Sequence, residues 1–110
     1  MLIDLDFFKL INDELGHLAG DRVLAEVGAL LRANVRDIDV PGRWGGEEFL
    51  IVCPETDAES ALKVAERIVA VIAGHGFSSK RPQTASAGVA ALADGDEPDG
   101  LLSRADAALY

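Results

Sequence analysis

Polar and apolar residues alternate from Met1 to Asp6, with Leu2, Asp4 and Asp6 on one side and Ile3 and Leu5 on the other. This is the two-residue period of a half-buried strand. Phe8 to Leu15 then reads as a short helix closed by Gly16, a residue that tolerates left-handed backbone at a helix end. From Asp21 onward, Val23, Leu24, Val27, Leu30 and Leu31 recur at helical spacing and predict a helix ending near Asn34. Arg43 and Trp44, the pair Gly45-Gly46, and Glu47 to Cys53 predict two strands joined by a glycine turn, with Pro54 closing the second. Thr56 and Glu59 have the spacing of a capping box, opening a long helix with Ala61, Ala65, Ile68 and Ile72 on one face; Gly74 and Gly76 stop it. Thr84 to Leu92 is expected as a strand and Asp94 to Pro98 as an acidic loop. A last helix carries Leu101, Leu102, Ala105 and Leu109.

The order is strand, helix, helix, hairpin, helix, strand, helix, which predicts an α/β (α+β) domain with a mixed sheet flanked by helices. Its 110 residues suit one core. The chain begins inside a strand and stops at Tyr110 partway along an amphipathic helix, so one domain, cut from a longer protein at both ends, is expected over 1–110. A net charge of −9 argues against binding nucleic-acid backbones. No apolar run reaches the roughly 20 residues of a membrane span, and the single Cys53 excludes an internal disulfide, so a cytoplasmic protein without membrane contact in this segment is expected.

Two carboxylate clusters stand at element ends: Asp4 with Asp6, and Glu47 with Glu48 after the glycines. Solvated charge at strand ends explains them adequately. Magnesium, however, takes one or two protein carboxylates and leaves its other positions to water and phosphate, so one residue from each cluster would suffice. Phe7, Phe8 and Lys9 lie where the first strand meets its helix and offer backbone amides and one cation, the kind of helix start that binds phosphate. The two rings are expected in the core.

The segments Asp4-Leu-Asp-Phe-Phe-Lys-Leu-Ile-Asn-Asp-Glu-Leu-Gly-His17, Gly20-Asp21, Arg43-Trp-Gly-Gly-Glu-Glu-Phe49 and Ala105-Asp-Ala-Ala-Leu-Tyr110 resemble the successive signatures of GGDEF diguanylate cyclases. The resemblance implies a palm-like nucleotidyl cyclase fold with a mainly antiparallel five-stranded central sheet. It implies magnesium, with manganese as an alternative, held by Asp4, Glu47 and the carbonyl of Leu5. Asn12 and Asp21 would read the guanine edge of GTP, Phe7, Phe8 and Lys9 would face the triphosphate, and Gly45 and Gly46 would let backbone approach the nucleotide. Glu48 would either assist deprotonation of the ribose 3′-OH or hold a second metal. His17 falls in the structural Gly-His turn, and Asp106 and Tyr110 would tie the last helix to the sheet.

The implied reaction condenses two GTP into cyclic di-GMP with release of two pyrophosphates, in a homodimer of half-sites. Arg36-Asp-Ile-Asp39, just upstream of Arg43, resembles the RxxD site at which the product inhibits many such cyclases, with Arg67 as a further contributor. An upstream sensory or regulatory domain is implied too. The other reading is a non-catalytic regulatory module binding GTP or cyclic di-GMP, against which the presence of both Glu47 and Glu48 argues. Glu47 replaces the aspartate of the family's name motif, and Ala85 and Ala87 stand where larger β-branched residues are usual. The family's upstream Leu-Thr and Asn-Arg helix and downstream phosphate-gripping region are missing, so the fragment alone is expected to be impaired.

Overall fold

The computed structural model describes residues 1–109, so the expected role of Tyr110 lies outside the described residues. The elements run β1 (Leu2–Leu5), α1 (Phe8–Leu15), α2 (His17–Ala33), β2 (Val40–Gly45), β3 (Glu48–Val52), α3 (Ala58–Gly74), β4 (Ala85–Gly88) and α4 (Pro98–Leu109). The described strands form one antiparallel sheet in the order β2-β3-β1-β4. The α/β class and element order agree with the sequence pattern. The implied fifth strand is absent from the described residues.

Ile3 and Leu5 of β1, Phe49 and Ile51 of β3 and Ala85 of β4 turn to one face. There they meet Phe8 and Ile11 of α1, Val23, Val27 and Leu31 of α2, and Ile68 and Ile72 of α3 in a single core. Helical spacing made these residues line up, and their burial is the main favourable term for folding. Leu2 is buried as well, on the opposite face, because α4 packs across β1 and β4. The first strand is therefore covered on both faces, where its alternation predicted one.

Several boundaries differ from expectation for local reasons. The second helix starts at His17, because Gly16 (φ 88) restarts the chain at once; Asp21 lies within the helix rather than at its start. Asp57 caps α3, accepting from Ser60 N–H at 2.7 Å, while the Thr56 hydroxyl is engaged by Arg36. The hairpin turn is Gly46-Glu47 instead of Gly45-Gly46. A bulge between Arg43 and Gly45 pushes Trp44 out of the ladder, and Gly46 (φ 49) takes the left-handed position. The strand expected over Thr84 to Leu92 ends at Gly88, which pairs with Leu2, the first residue of β1. Alanine-rich sequence adds little strand preference there.

Gly88 sets how closely α4 approaches the sheet. A Cβ on it would collide with the carbonyl oxygen of Ala105 and lie 2.7 Å from the Leu109 nitrogen, both rigid backbone atoms. Gly88→Ala should therefore destabilise the domain by about 1–3 kcal/mol in urea unfolding. Gly42→Ala, with open space around it, should change stability by less than about 0.5 kcal/mol. Equal effects from the two would show that α4 does not depend on this contact.

Candidate active site

The antiparallel register places Asp4 directly opposite Glu48, and the Leu5 N–H donates to the Glu47 carbonyl at 3.2 Å. An extended residue sends its N–H and C=O to the same side, so the Leu5 carbonyl also faces the hairpin turn. The two sequence-predicted carboxylate clusters are thus brought together by one pair of strands. Burial first, and then the charges of Asp4, Asp106 and Glu47, push the Glu48 carboxyl above its ordinary range. Asp106 was expected only to tie α4 to the sheet. Its exposed carboxylate also adds to the negative field on Glu48 from the face that α4 covers.

The donor set fits a hard divalent cation that arrives with its own ligands. Among the described residues no three His, Cys, Asp or Glu side chains form a ready-made metal cage. Magnesium needs no such cage, since it retains water and takes phosphate oxygens alongside one or two carboxylates.

Asp6 belongs to the framework. Its carboxylate accepts from Thr84 Oγ1 at 2.8 Å and Ser86 Oγ at 2.7 Å, and Gln83, itself buried, donates to its carbonyl at 2.8 Å. These contacts anchor the β1–α1 junction on β4. Sequence reading gave Gln83, Thr84 and Ser86 no part, since nothing local ties them to a residue some 80 positions away. Beyond the anchor, Phe7 adopts φ 54 and ψ 29, and no side chain caps α1. A left-handed residue followed by helical ones turns successive N–H groups to one side, a concavity suited to anions. Phe8 is in the core as expected; the Phe7 ring is 82% exposed, contrary to expectation. Lys9 is exposed beside it.

Gly20, the residue before Asp21, is buried and lies against the Asn12 carboxamide and the Phe8 ring. Any Cβ there would strike Asn12. Asp21 is exposed on the rim of a groove of about 510 Å³ between α2 and β2, also lined by Leu24, Gly28, Pro41 and Phe49. Asp4, Glu47 and Asn12 lie outside that groove. Arg43 holds the turn by donating to the Gly46 carbonyl through Nε at 3.0 Å and Nη2 at 2.7 Å. Gly45 ends β2 with open space around it.

The second constellation lies at the base of the same hairpin. The Asp39 carboxylate, with its side chain 2% exposed, accepts from Arg36 through the backbone N–H at 2.8 Å, Nε at 3.3 Å and Nη2 at 2.9 Å. Arg67 on α3 donates to the Asn34 carbonyl at 2.6 Å and adds positive charge near Asp39. Arg36, Asp39 and Arg67 are therefore neighbours, roughly 20 Å along β2 from the Gly46 turn.

The whole chain, residues 1–110, matches the family model described as diguanylate cyclase, GGDEF domain. The chain belongs to the GGDEF family. It is 47% identical over its full length to the response regulator PleD of Caulobacter vibrioides and 41% identical over 99% of its length to the diguanylate cyclase DgcP of Pseudomonas aeruginosa. It spans only 26% and 17% of those proteins. Among solved structures, the active GGEEF domain of a diguanylate cyclase from Vibrio cholerae is similar with a TM-score of 0.91 and 41% identity, covering 99% of this chain and 71% of that one. The GGDEF domain of DgcB from Caulobacter crescentus in complex with c-di-GMP has a TM-score of 0.91 and 30% identity, covering 99% and 67%. No helix among the described residues of this GGDEF domain is long and apolar enough to cross a membrane.

The Asp39 carboxyl is held below its ordinary range, first by the Arg36 side chain and then, against the effect of burial, by the Arg36 backbone N–H. A carboxyl depressed on folding contributes stability that is present above its unfolded value, near pH 4, and is lost as pH falls through the lower folded value. Asp39→Asn should therefore be less stable than wild type at pH 6, with the gap closing toward pH 3 in urea unfolding. A gap of constant size across that range would mean that the ion pair contributes nothing.

Proposed function

We propose that this GGDEF domain holds one GTP and acts as half of a diguanylate cyclase. What carries the reading is the Asp4–Glu48 register with Glu47 at the adjoining turn, set beside the uncapped start of α1. Asp4, Glu47 and the Leu5 carbonyl would hold magnesium or manganese, which when bound neutralises the triphosphate charge that builds up in the transition state. The amides of Phe7 and Phe8, with Lys9, would bind the phosphates. Asn12 and Asp21 would read guanine, since an amide offers both donor and acceptor and a carboxylate accepts from the ring N–H and exocyclic amine. Glu48, its carboxyl pushed up by burial and then by its acidic neighbours, is suited to taking the ribose 3′-OH proton or to joining a second cation.

Each 3′-OH would attack the α-phosphate of the nucleotide in a second copy, giving cyclic di-GMP and two pyrophosphates, so the working species is a homodimer. Gly45 and Gly46 keep the turn low enough for the nucleotide to lie against it. Cyclic di-GMP would also return as an inhibitor at Arg36 and Arg67. Because both Asp39 oxygens are engaged by Arg36, Asp39 serves there by orienting the guanidinium rather than by receiving guanine directly. An upstream regulatory domain would bring two copies together in the cytoplasm.

Glu47→Gln in the full-length protein should lower cyclic di-GMP production from GTP by about a hundredfold or more while leaving thermal stability nearly unchanged. Wild-type turnover would remove Glu47 from the metal site. Asp21→Ala should weaken GTP binding by roughly tenfold or more and leave ATP binding unaltered in a calorimetric titration. Equal losses for both nucleotides would make Asp21 structural.

A further inference from the structure

Arg36 spreads its donors unevenly over two edges of the guanidinium. The edge made by Nε and Nη2 is taken by Asp39, at 3.3 and 2.9 Å, and that carboxylate is buried. The outer edge, made by Nη1 and the second Nη2 hydrogen, meets the turn after β3. There Nη2 donates to Thr56 Oγ1 at 2.6 Å and to the Pro54 carbonyl at 3.1 Å, while Nη1 makes no hydrogen bond among the described residues. The Thr56 hydroxyl donates onward to the same Pro54 carbonyl at 2.9 Å. Nη2 has two hydrogens, so one serves Asp39 and the other is shared between Thr56 and Pro54.

A phosphate is bound best when one guanidinium edge supplies two parallel N–H donors. The inner edge cannot do this, because its carboxylate partner is buried and already bidentate. A phosphate must come to the outer edge, half of which is already engaged. We propose that Thr56 is a built-in competitor at this site: a cyclic di-GMP phosphate binds Arg36 by displacing the Thr56 hydroxyl from Nη2. The inference rests on the product-site reading above and adds to it a residue that sets the strength of inhibition. Glu55 works in the same direction, since it stands exposed in left-handed backbone (φ 52) between the two acceptors and places negative charge beside an incoming phosphate. The turn leads straight into Asp57, the cap of α3, and α3 carries Arg67. Release of Thr56 therefore loosens the turn that joins Arg36 to the helix bearing the second arginine.

The test is a calorimetric titration of the full-length protein with cyclic di-GMP. Thr56→Val keeps the shape of the side chain and removes its hydroxyl, and should tighten Kd by about fivefold, the worth of one net hydrogen bond. Thr56→Ser keeps the hydroxyl and should bind as wild type does, which separates the hydrogen bond from the shape. Arg36→Ala should lose the binding. Wild-type or weaker affinity in Thr56→Val, with binding lost in Arg36→Ala, overturns the competitor and leaves the site standing. Unaltered binding in Arg36→Ala overturns both.

Discussion

The backbone hydrogen bond from Leu5 N–H to the Glu47 carbonyl, together with the Asp4–Glu48 register it continues, decides whether the two acidic clusters meet at all. In a strand pair a slip of one residue would send every side chain to the opposite face and carry Glu48 away from Asp4. The register is held by what lies behind it. Ile3 opposite Phe49, and Ile51 beyond, are buried in the main core, so slippage would expose them to water. The placement of the strand-end carboxylates is therefore fixed by apolar residues behind them.

A second constraint follows the end of β1. Phe7 occupies a backbone conformation that costs a residue with a Cβ about 1–2 kcal/mol, and its ring stands in water. The strain persists because both sides of it are clamped. Asp6 is fixed to β4 by the hydroxyls of Thr84 and Ser86, and Phe8 is locked into the core. A tight, uncapped helix start is what an anion needs and what an unclamped chain would relax away.

The sequence pattern was most informative where one element determines its own form. The helical spacing of Val23, Val27 and Leu31, and the glycines and prolines that bound each element, placed the order of the fold correctly. It misled where a distant partner intervened. Thr56 looked like a cap until Arg36, twenty positions earlier, engaged its hydroxyl, and Asp57 took the role instead. The alternation of β1 read as one buried face because nothing local announces that α4 will cover the other. In the site, the motif residues Asp4, Glu47, Asn12 and Asp21 were nameable from the chain. The supports supplied by Gln83, Thr84 and Ser86 were not, nor was the charge that Asp106 adds beside Glu48, because each acts on a partner more than fifty residues away.

The same hairpin carries both constellations, Arg36 and Asp39 at its base and Glu47 at its tip, and this bears on how one could act on the other. Between them the ladder is regular from Val40 opposite Val52 to Arg43 opposite Phe49, and Phe49 and Ile51 are packed in the core. A packed, paired ribbon does not bend continuously under a ligand at one end. The one irregularity, the bulge at Trp44, lies beyond the regular stretch and is stiffened by the Arg43 bonds to Gly46. A ligand at Arg36 thus has little leverage on Glu47 through the strands. On the proposed reaction, in which two half-sites face each other, its effect on turnover would instead run through the position of the whole domain relative to a second copy.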